Sequence, residues 1–301
     1  MTETTLPLQQ LCDVAIHAAR EAGVFVQSID RTGLQRYFKD AGSSAASQVV
    51  TEVDVRSEAI IRQRLQPASE QWDIAFCGEE SAMQVPGVTP QRLTKSFFWC
   101  VDPLDGTLPF VEGRRGYAVS IALVDHSGAP LIGVVYDPPG ASLVYAIRGD
   151  GAYREQAAIQ TGALESRSLR VFADASFDAD EHCAAITDIL NGCAQTLGLA
   201  GVEMVYGSGA VKNACQVLDY PAACYVKLPK PGEGGGSVWD FAATACIVGE
   251  AGGWVSDIHG QPLELNRKDS TFMNHRGVLY ASNTRIARYL IDRLRATLPA
   301  G

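Results

Sequence analysis

The chain lacks several signatures that would decide its class at once. It has no apolar run approaching the ~20 residues of a membrane span. No basic, apolar and small-residue leader opens it. The expectation is therefore a cytoplasmic chain with no membrane partner. Cys12, Cys77, Cys100, Cys183, Cys193, Cys215, Cys224 and Cys246 form no CxxC pair and no compact framework. Buried, reduced thiols are expected rather than disulfides or a zinc ribbon. His17, His126, His182, His259 and His275 lack HExxH or finger spacing, which argues against a zinc site. There is no GxGxxG ahead of a helix, no Walker A run and no GxSxG elbow, so dinucleotide, P-loop and serine-nucleophile readings have no support. Positive charge is in deficit, with 25 Lys+Arg against 34 Asp+Glu and a formal charge of -9. A nucleic acid polymer or an anionic bilayer would need the opposite balance. A small anionic ligand stays open if metal ions reverse the local sign. No internal repeat, heptad array or low-complexity tail is present.

What the chain does have is ordinary globular material. Its 301 residues, 47% hydrophobic and 20% charged, are enough for a large core and lie near the length at which chains divide into two domains. Residues 8 to about 26 place Leu8, Leu11, Ala15, Ala18, Ala22 and Val26 at helical spacing. Gly33 and the run from Gly42 to Ser47 read as loop. Val49-Val50-Thr51-Glu52-Val53-Asp54 leads into a second helix, with Val55, Ala59, Ile61 and Leu65 expected on its inner face. A short strand at residues 73–77 ends in Gly78-Glu79-Glu80-Ser81. Phe97, Phe98, Trp99 and Val101 mark a buried strand that is expected to stop at Pro103. Three further runs, 117–124, 131–136 and 142–147, separated by Asp/Gly/Pro turns, form an antiparallel meander. The second half alternates strands and helices. A strand at 169–172 precedes a helix near 181–197. Gly207-Ser208-Gly209-Ala210-Val211-Lys212 opens another helix, and the flexible run Pro231-Gly232-Glu233-Gly234-Gly235-Gly236 precedes a helix begun by Trp239-Asp240. Gly252-Gly253 stops that helix, a strand follows at 254–256, and Ile286, Leu290 and Leu294 mark a last helix. The organisation expected is an α+β domain over 1–155 and an α/β domain over 156–301.

Four acidic sites punctuate this plan. In Asp102-Pro103-Leu104-Asp105-Gly106-Thr107, two carboxylates flank the carbonyl of Leu104, expected to be exposed, and the amides of Gly106 and Thr107 face outward if a helix begins there. Taken alone the run serves equally as a surface turn. Asp54 and Asp240 near helix starts read equally as N-caps, and Glu79-Glu80 as a solvated turn.

Taken together the pieces resemble the inositol monophosphatase family. The carriers are Trp99-Cys100-Val101-Asp102-Pro103-Leu104-Asp105-Gly106-Thr107 and Trp239-Asp240-Phe241-Ala242-Ala243 running to Glu250-Ala251-Gly252-Gly253. Gly78-Glu79-Glu80-Ser81 and Val50-Thr51-Glu52-Val53-Asp54 match two further motifs in the expected order, so the likeness spans roughly residues 49–260. The resemblance implies a layered αβαβα sandwich, mixed α+β in its first half and α/β in its second. It implies a Mg²⁺-dependent phosphomonoesterase holding two or more ions on Glu79, Asp102, Asp105, Asp240 and the Leu104 carbonyl. Asp54 and Thr107 would activate water, and the Gly106 and Thr107 amides would hold phosphate. A homodimer is the assembly it implies, with no interface readable in the sequence.

The substrate is less sharply marked. The run from Asp102 to Thr107, with Ser120-Ile121-Ala122-Leu123-Val124-Asp125 and Gly133-Val134-Val135-Tyr136-Asp137-Pro138, looks most like the 3'(2'),5'-bisphosphate nucleotidase branch. Lys212, following Gly207 and Ser208, suits a second phosphate. Leu108 and Pro109 depart from that branch, which carries lysine and glutamate after its DGT. Glu233, seven residues before Asp240, stands where inositol monophosphatases bind a ring hydroxyl. Lys212 and Glu233 read equally well as exposed helix and loop residues. The expected substrate is 3'-phosphoadenosine 5'-phosphate, with inositol 1-phosphate or another sugar phosphate as the alternative. A non-catalytic regulatory protein on the same scaffold is the alternative of another class.

Overall fold

The computed structural model describes residues 6–30, 36–38, 49–82, 88–162 and 165–298. The loop residues Gly33 and Gly42 to Ser47 lie outside them. Helix α1 (Leu8–Ser28) is followed by a two-stranded antiparallel pair, β1 (Arg36–Phe38) and β2 (Val49–Thr51), and by α2 (Glu52–Trp72). A seven-stranded sheet then runs in sequence order: β3 (Ile74–Gly78), β4 (Phe97–Asp105), β5 (Ala118–Asp125), β6 (Pro130–Asp137), β7 (Ser142–Ile147), β8 (Gly151–Arg154) and β9 (Ala157–Ile159). Strand β3 is parallel to β4 and every later pairing is antiparallel. A one-turn helix α3 (Thr107–Val111) interrupts the run between β4 and β5.

The rest of the chain builds β10 (Leu169–Phe172), α4 (Cys183–Thr196), β11 (Val202–Val205), α5 (Ala210–Gln216), β12 (Ala223–Lys227), α6 (Val238–Glu250), β13 (Trp254–Ser256), β14 (Val278–Ala281) and α7 (Thr284–Thr297). The second sheet has the order β11-β10-β12-β14-β13, parallel on one side of β12 and antiparallel on the other.

Alternation along the strands explains the layers. On β4, Trp99 and Val101 face α1 and α2, packing with Leu11, Ala15, Ala18, Ile61 and Leu65. Phe98 and Cys100 point the other way, into a central core shared with Val211 and Ala214 of α5, Trp239, Phe241 and Ala242 of α6, and Phe172, Tyr225 and Tyr280 of the second sheet. The far face of that sheet buries Leu169, Val171, Cys224, Val226 and Leu279 under α4 and α7. The architecture is thus αβαβα, α+β in composition, and its burial of whole aromatic side chains such as Phe98 and Trp99 contributes roughly 1.5–3 kcal/mol each. All eight cysteines are free and seven are buried.

Two local expectations need correction. Strand β4 does not stop at Pro103 but continues to Asp105, because its register against β5 shifts between Asp102 and Asp105 and absorbs the residue that has no ladder donor. On α2, Val55 is 52% exposed and Ala59 also faces solvent. The inner face is Val53, Asp54, Ser57, Glu58, Ile61 and Leu65. It is partly polar, which hides it from a count of apolar periodicity.

Candidate active site

The irregular end of β4 turns two carboxylates into the interior instead of onto opposite faces. Asp102 is 2% exposed and Asp105 7%. Asp102 Oδ1 accepts the Leu104 amide at 3.0 Å, closing the turn on itself. Leu104 is wholly buried, contrary to the exposed carbonyl expected, and that carbonyl accepts the Thr107 hydroxyl at 3.2 Å. Gly106 then adopts φ 83°, a left-handed conformation that costs glycine nothing, and α3 starts at Thr107.

Helix α2 fixes this corner through one polar face. Asp54, Ser57 and Glu58 lie at i, i+3 and i+4, so they point the same way. Asp54 Oδ1 accepts from Thr107 Oγ1 at 3.1 Å, Ser57 Oγ donates to the Pro103 carbonyl at 2.8 Å, and Glu58 Oε2 accepts the Glu80 amide at 2.8 Å. The helix therefore sets both acidic turns, including the one that carries half-buried Glu79. Ser57 and Glu58 were missed in the sequence; two polar residues between apolar ones on an inward helical face were the available signal.

From the opposite side, α5 and α6 deliver their N-termini. Gly209 permits the approach of α5: a Cβ there would lie 2.3 Å from Asp105 Oδ2. That oxygen accepts the Val211 amide at 3.0 Å, and the Lys212 amide bonds to Asp105 as well. Asp240 stands at N3 of α6 rather than at its N-cap: it accepts the amide of the N-cap Ser237 at 2.8 Å, one half of a capping box, and also reaches the centre. Asp102, Asp105 and Asp240 place one oxygen each within 4.8 Å of one another.

Two buried acids and a half-buried one this close disfavour one another's charge. Burial first, then the charges of Glu79, Asp105 and Asp240, push Asp102 well above the usual carboxylate range. Burial and then Asp240 raise Asp105, against the backbone amides of Val211 and Lys212. Burial also raises Asp240, opposed by the charge of Lys227 and a hydrogen bond from Asp102. Hard divalent cations take such oxygen ligands, and a cluster of three carboxylates with no thiol or imidazole in it fits them.

The remaining expected residues divide. Gly207 and Ser208 sit beside the corner: a Cβ on Gly116 would come within 2.7 Å of the Gly207 carbonyl, and the Gly209 amide donates to Gly116 O at 2.8 Å. Lys212 turns its ammonium to Asp137 at 2.7 Å and lines a cavity of about 140 Å³ whose walls include none of the cluster carboxylates. Glu233 is exposed on the glycine loop. Absent from the sequence reading is a half-buried network near Asp240. Asp174, just after β10, takes Lys227 Nζ at 2.6 Å, Tyr225 OH at 2.9 Å and Asn213 Nδ2 at 3.2 Å. Its signal was an acid directly after a buried strand, the placement that Glu79 also has.

The model of the inositol monophosphatase family matches residues 7–297. The 3'(2'),5'-bisphosphate nucleotidase CysQ of Aggregatibacter actinomycetemcomitans is 29% identical over 277 residues, covering 90% of this chain and 91% of the relative. Inositol monophosphatase 2 of Solanum lycopersicum is 31% identical over 261 residues, covering 87% and 92%. In structure, the 2'AMP-bound inositol monophosphatase II of Staphylococcus aureus superposes with a TM-score of 0.70 over 96% of this chain and 97% of that one, at 20% identity. With the family model matched over nearly its whole length and the family's layered fold around three converging carboxylates, the chain belongs to the inositol monophosphatase family.

Proposed function

We propose that this family phosphatase is a Mg²⁺-dependent phosphomonoesterase whose substrate is 3'-phosphoadenosine 5'-phosphate, released as AMP and phosphate. The observation that carries the reading is the convergence of Asp102, Asp105 and Asp240 within 4.8 Å beside the hydrogen-bonded pair Thr107 and Asp54. Glu79, Asp102, Asp105, Asp240 and the Leu104 carbonyl would hold two or more divalent ions. Bound there, such ions supply positive charge to the phosphate and lower the pKa of a water.

The chain's own groups do the positioning and proton handling. Thr107 Oγ1 donates to Asp54 Oδ1, so it can accept a proton from the attacking water as its own passes to that carboxylate. Asp54, 2% exposed, is held there by the rigid α2. The Gly106 and Thr107 amides hold the phosphate oxygens, and Gly207 and Ser208 form the neighbouring wall. No serine or cysteine nucleophile is needed.

The nucleotide reading is supported by the relative named a bisphosphate nucleotidase and by the structural neighbour crystallised with 2'AMP. The relative named an inositol monophosphatase supports inositol 1-phosphate as the second reading. The test is phosphate release with Mg²⁺ on both compounds, compared as kcat/KM. Preference for the nucleotide upholds the proposal, preference for inositol 1-phosphate favours the second reading, and turnover of neither contradicts both.

A further inference from the structure

A pair of thiols lies just behind the two acidic turns. Cys77 on β3 and Cys100 on β4 stand directly opposite each other in the parallel pair. Residues paired in this way leave the sheet on the same side, and both thiols enter the central core with Ala75 and Phe98. They interact side chain to side chain. Paired strands stand roughly 4.8 Å apart, inside the Cα separation of about 4.4–6.8 Å that a disulfide spans. In the sequence these two cysteines make no motif; the sheet makes them a dithiol.

Their surroundings are not those of inert core thiols. Arg92, itself buried, gives Nη1 to Asn266 Oδ1 at 2.7 Å and to the Arg267 carbonyl at 2.6 Å, while its Nη2 has no hydrogen-bond partner among the described residues. Its charge reaches both sulfurs, against Glu58 at Cys77 and Asp240 at Cys100. A cation beside a thiol supports the negative charge that sulfur carries as it attacks. Cys77 is 6% exposed and Cys100 0%, so Cys77 is the sulfur that a small oxidant meets first. Each cysteine also stands two residues before an acid assigned to the centre, Glu79 on one strand and Asp102 on the other. The strands stay joined up to that point, the Glu79 amide donating to the Val101 carbonyl at 3.0 Å.

We propose that Cys77 and Cys100 are a reversible oxidation site: a peroxide converts them to a disulfide, and the disulfide weakens the divalent-cation centre. The disulfide rests on the strand pairing alone, whereas its effect on turnover rests on the phosphatase reading above. Cys77 Sγ attacks the peroxide O–O bond and becomes a sulfenic acid, its proton leaving with the displaced hydroxide as water. Cys100 Sγ then attacks the Cys77 sulfur, forms the S–S bond and releases the sulfenic hydroxyl with its own proton as a second water. The two thiols give up two electrons and the peroxide takes them. A dithiol reductant reverses the step by exchange. Closing the bond draws the Cβ atoms to about 3.8 Å, roughly 1 Å nearer than paired strands hold them, and the carboxylates two residues further on move with the strands.

The test exposes the chelator-treated protein to hydrogen peroxide and maps its disulfides by mass spectrometry of a non-reducing digest. Mn²⁺ affinity and phosphate release are measured before oxidation, after it, and after dithiothreitol. The expected result is a cross-link between the peptides carrying Cys77 and Cys100, with Mn²⁺ affinity lowered about tenfold or more and turnover about a hundredfold. Dithiothreitol should restore both. Cys77→Ala and Cys100→Ala should keep their affinity and turnover through the same treatment, while Cys183→Ser, which removes the half-buried thiol on α4, should respond as wild type does. No cross-link between these two peptides, or a cross-linked protein with unchanged Mn²⁺ affinity, overturns the proposal and leaves the phosphatase reading in place. A protein whose Mn²⁺ affinity follows the cross-link but which hydrolyses no phosphate ester when reduced upholds the site and overturns the phosphatase reading. A reduced protein that binds no Mn²⁺ overturns both.

Discussion

At their mutual spacing Asp102, Asp105 and Asp240 each resist ionisation, burial being the first cause for all three. Asp105→Asn keeps the shape and removes a charge that burial and Asp240 already disfavour. Phosphate release should fall at least about a thousandfold, as when a principal electrostatic group of an active site is lost. The metal-free variant should melt no lower than wild type, because like-charge repulsion is relieved. A variant that keeps full turnover would remove Asp105 from the ion-binding set. Thr107→Val, nearly isosteric, should lower kcat roughly a hundredfold with little change in KM, the signature of a proton-handling hydroxyl. Equal loss through KM would instead make Thr107 a binding residue. At this scale the sequence was informative: Asp102, Asp105 and Asp240 stand together as the motifs suggested, and Thr107 reaches Asp54. Lys227 was not legible, because a single lysine closing an apolar strand has no local pattern and acquires its setting only when β10 and β12 pair.

At the scale of elements, α2 is the part that aligns the two acidic turns. Ser57→Ala removes the bond to the Pro103 carbonyl and should cost about 1 kcal/mol of stability, read from denaturant unfolding; no measurable loss would show that the corner is held by β4 and β5 alone. Gly209→Ala brings a methyl against Asp105 and should reduce activity and stability together. The helices and the meander were readable because their periods are strong. The α2 face was misread at Val55 and Ala59 because its inward side is built from Asp54, Ser57 and Glu58, which obey helical geometry but not a hydrophobic count. The end of β4 was misread because proline ordinarily ends a strand, while here a register shift carries the chain past it.

For the whole molecule, the central layer of α5 and α6 between two sheets brings acids from distant parts of the chain into one buried place. That concentration has a pH signature. In the metal-free protein Asp102 and Asp105 titrate above their unfolded values, so the native state keeps protons that the unfolded chain has released. Their contribution to stability is complete below about pH 4 and is lost as pH rises through the raised values. The melting temperature without divalent ions should therefore decline from mildly acid to mildly alkaline pH, and the increment gained on adding Mg²⁺ should grow over the same interval. An increment independent of pH would place the ions elsewhere.

If Asp102, Asp105 and Asp240 form the proposed divalent-cation centre, calorimetric titration of the chelator-treated protein with Mg²⁺ and Mn²⁺ at neutral pH, with Asp105→Asn alongside, will reveal it. Saturable binding of at least two ions per chain is expected, with proton release on binding and the loss of at least one ion in the variant. Absence of saturable binding, or equal binding by both proteins, would contradict it.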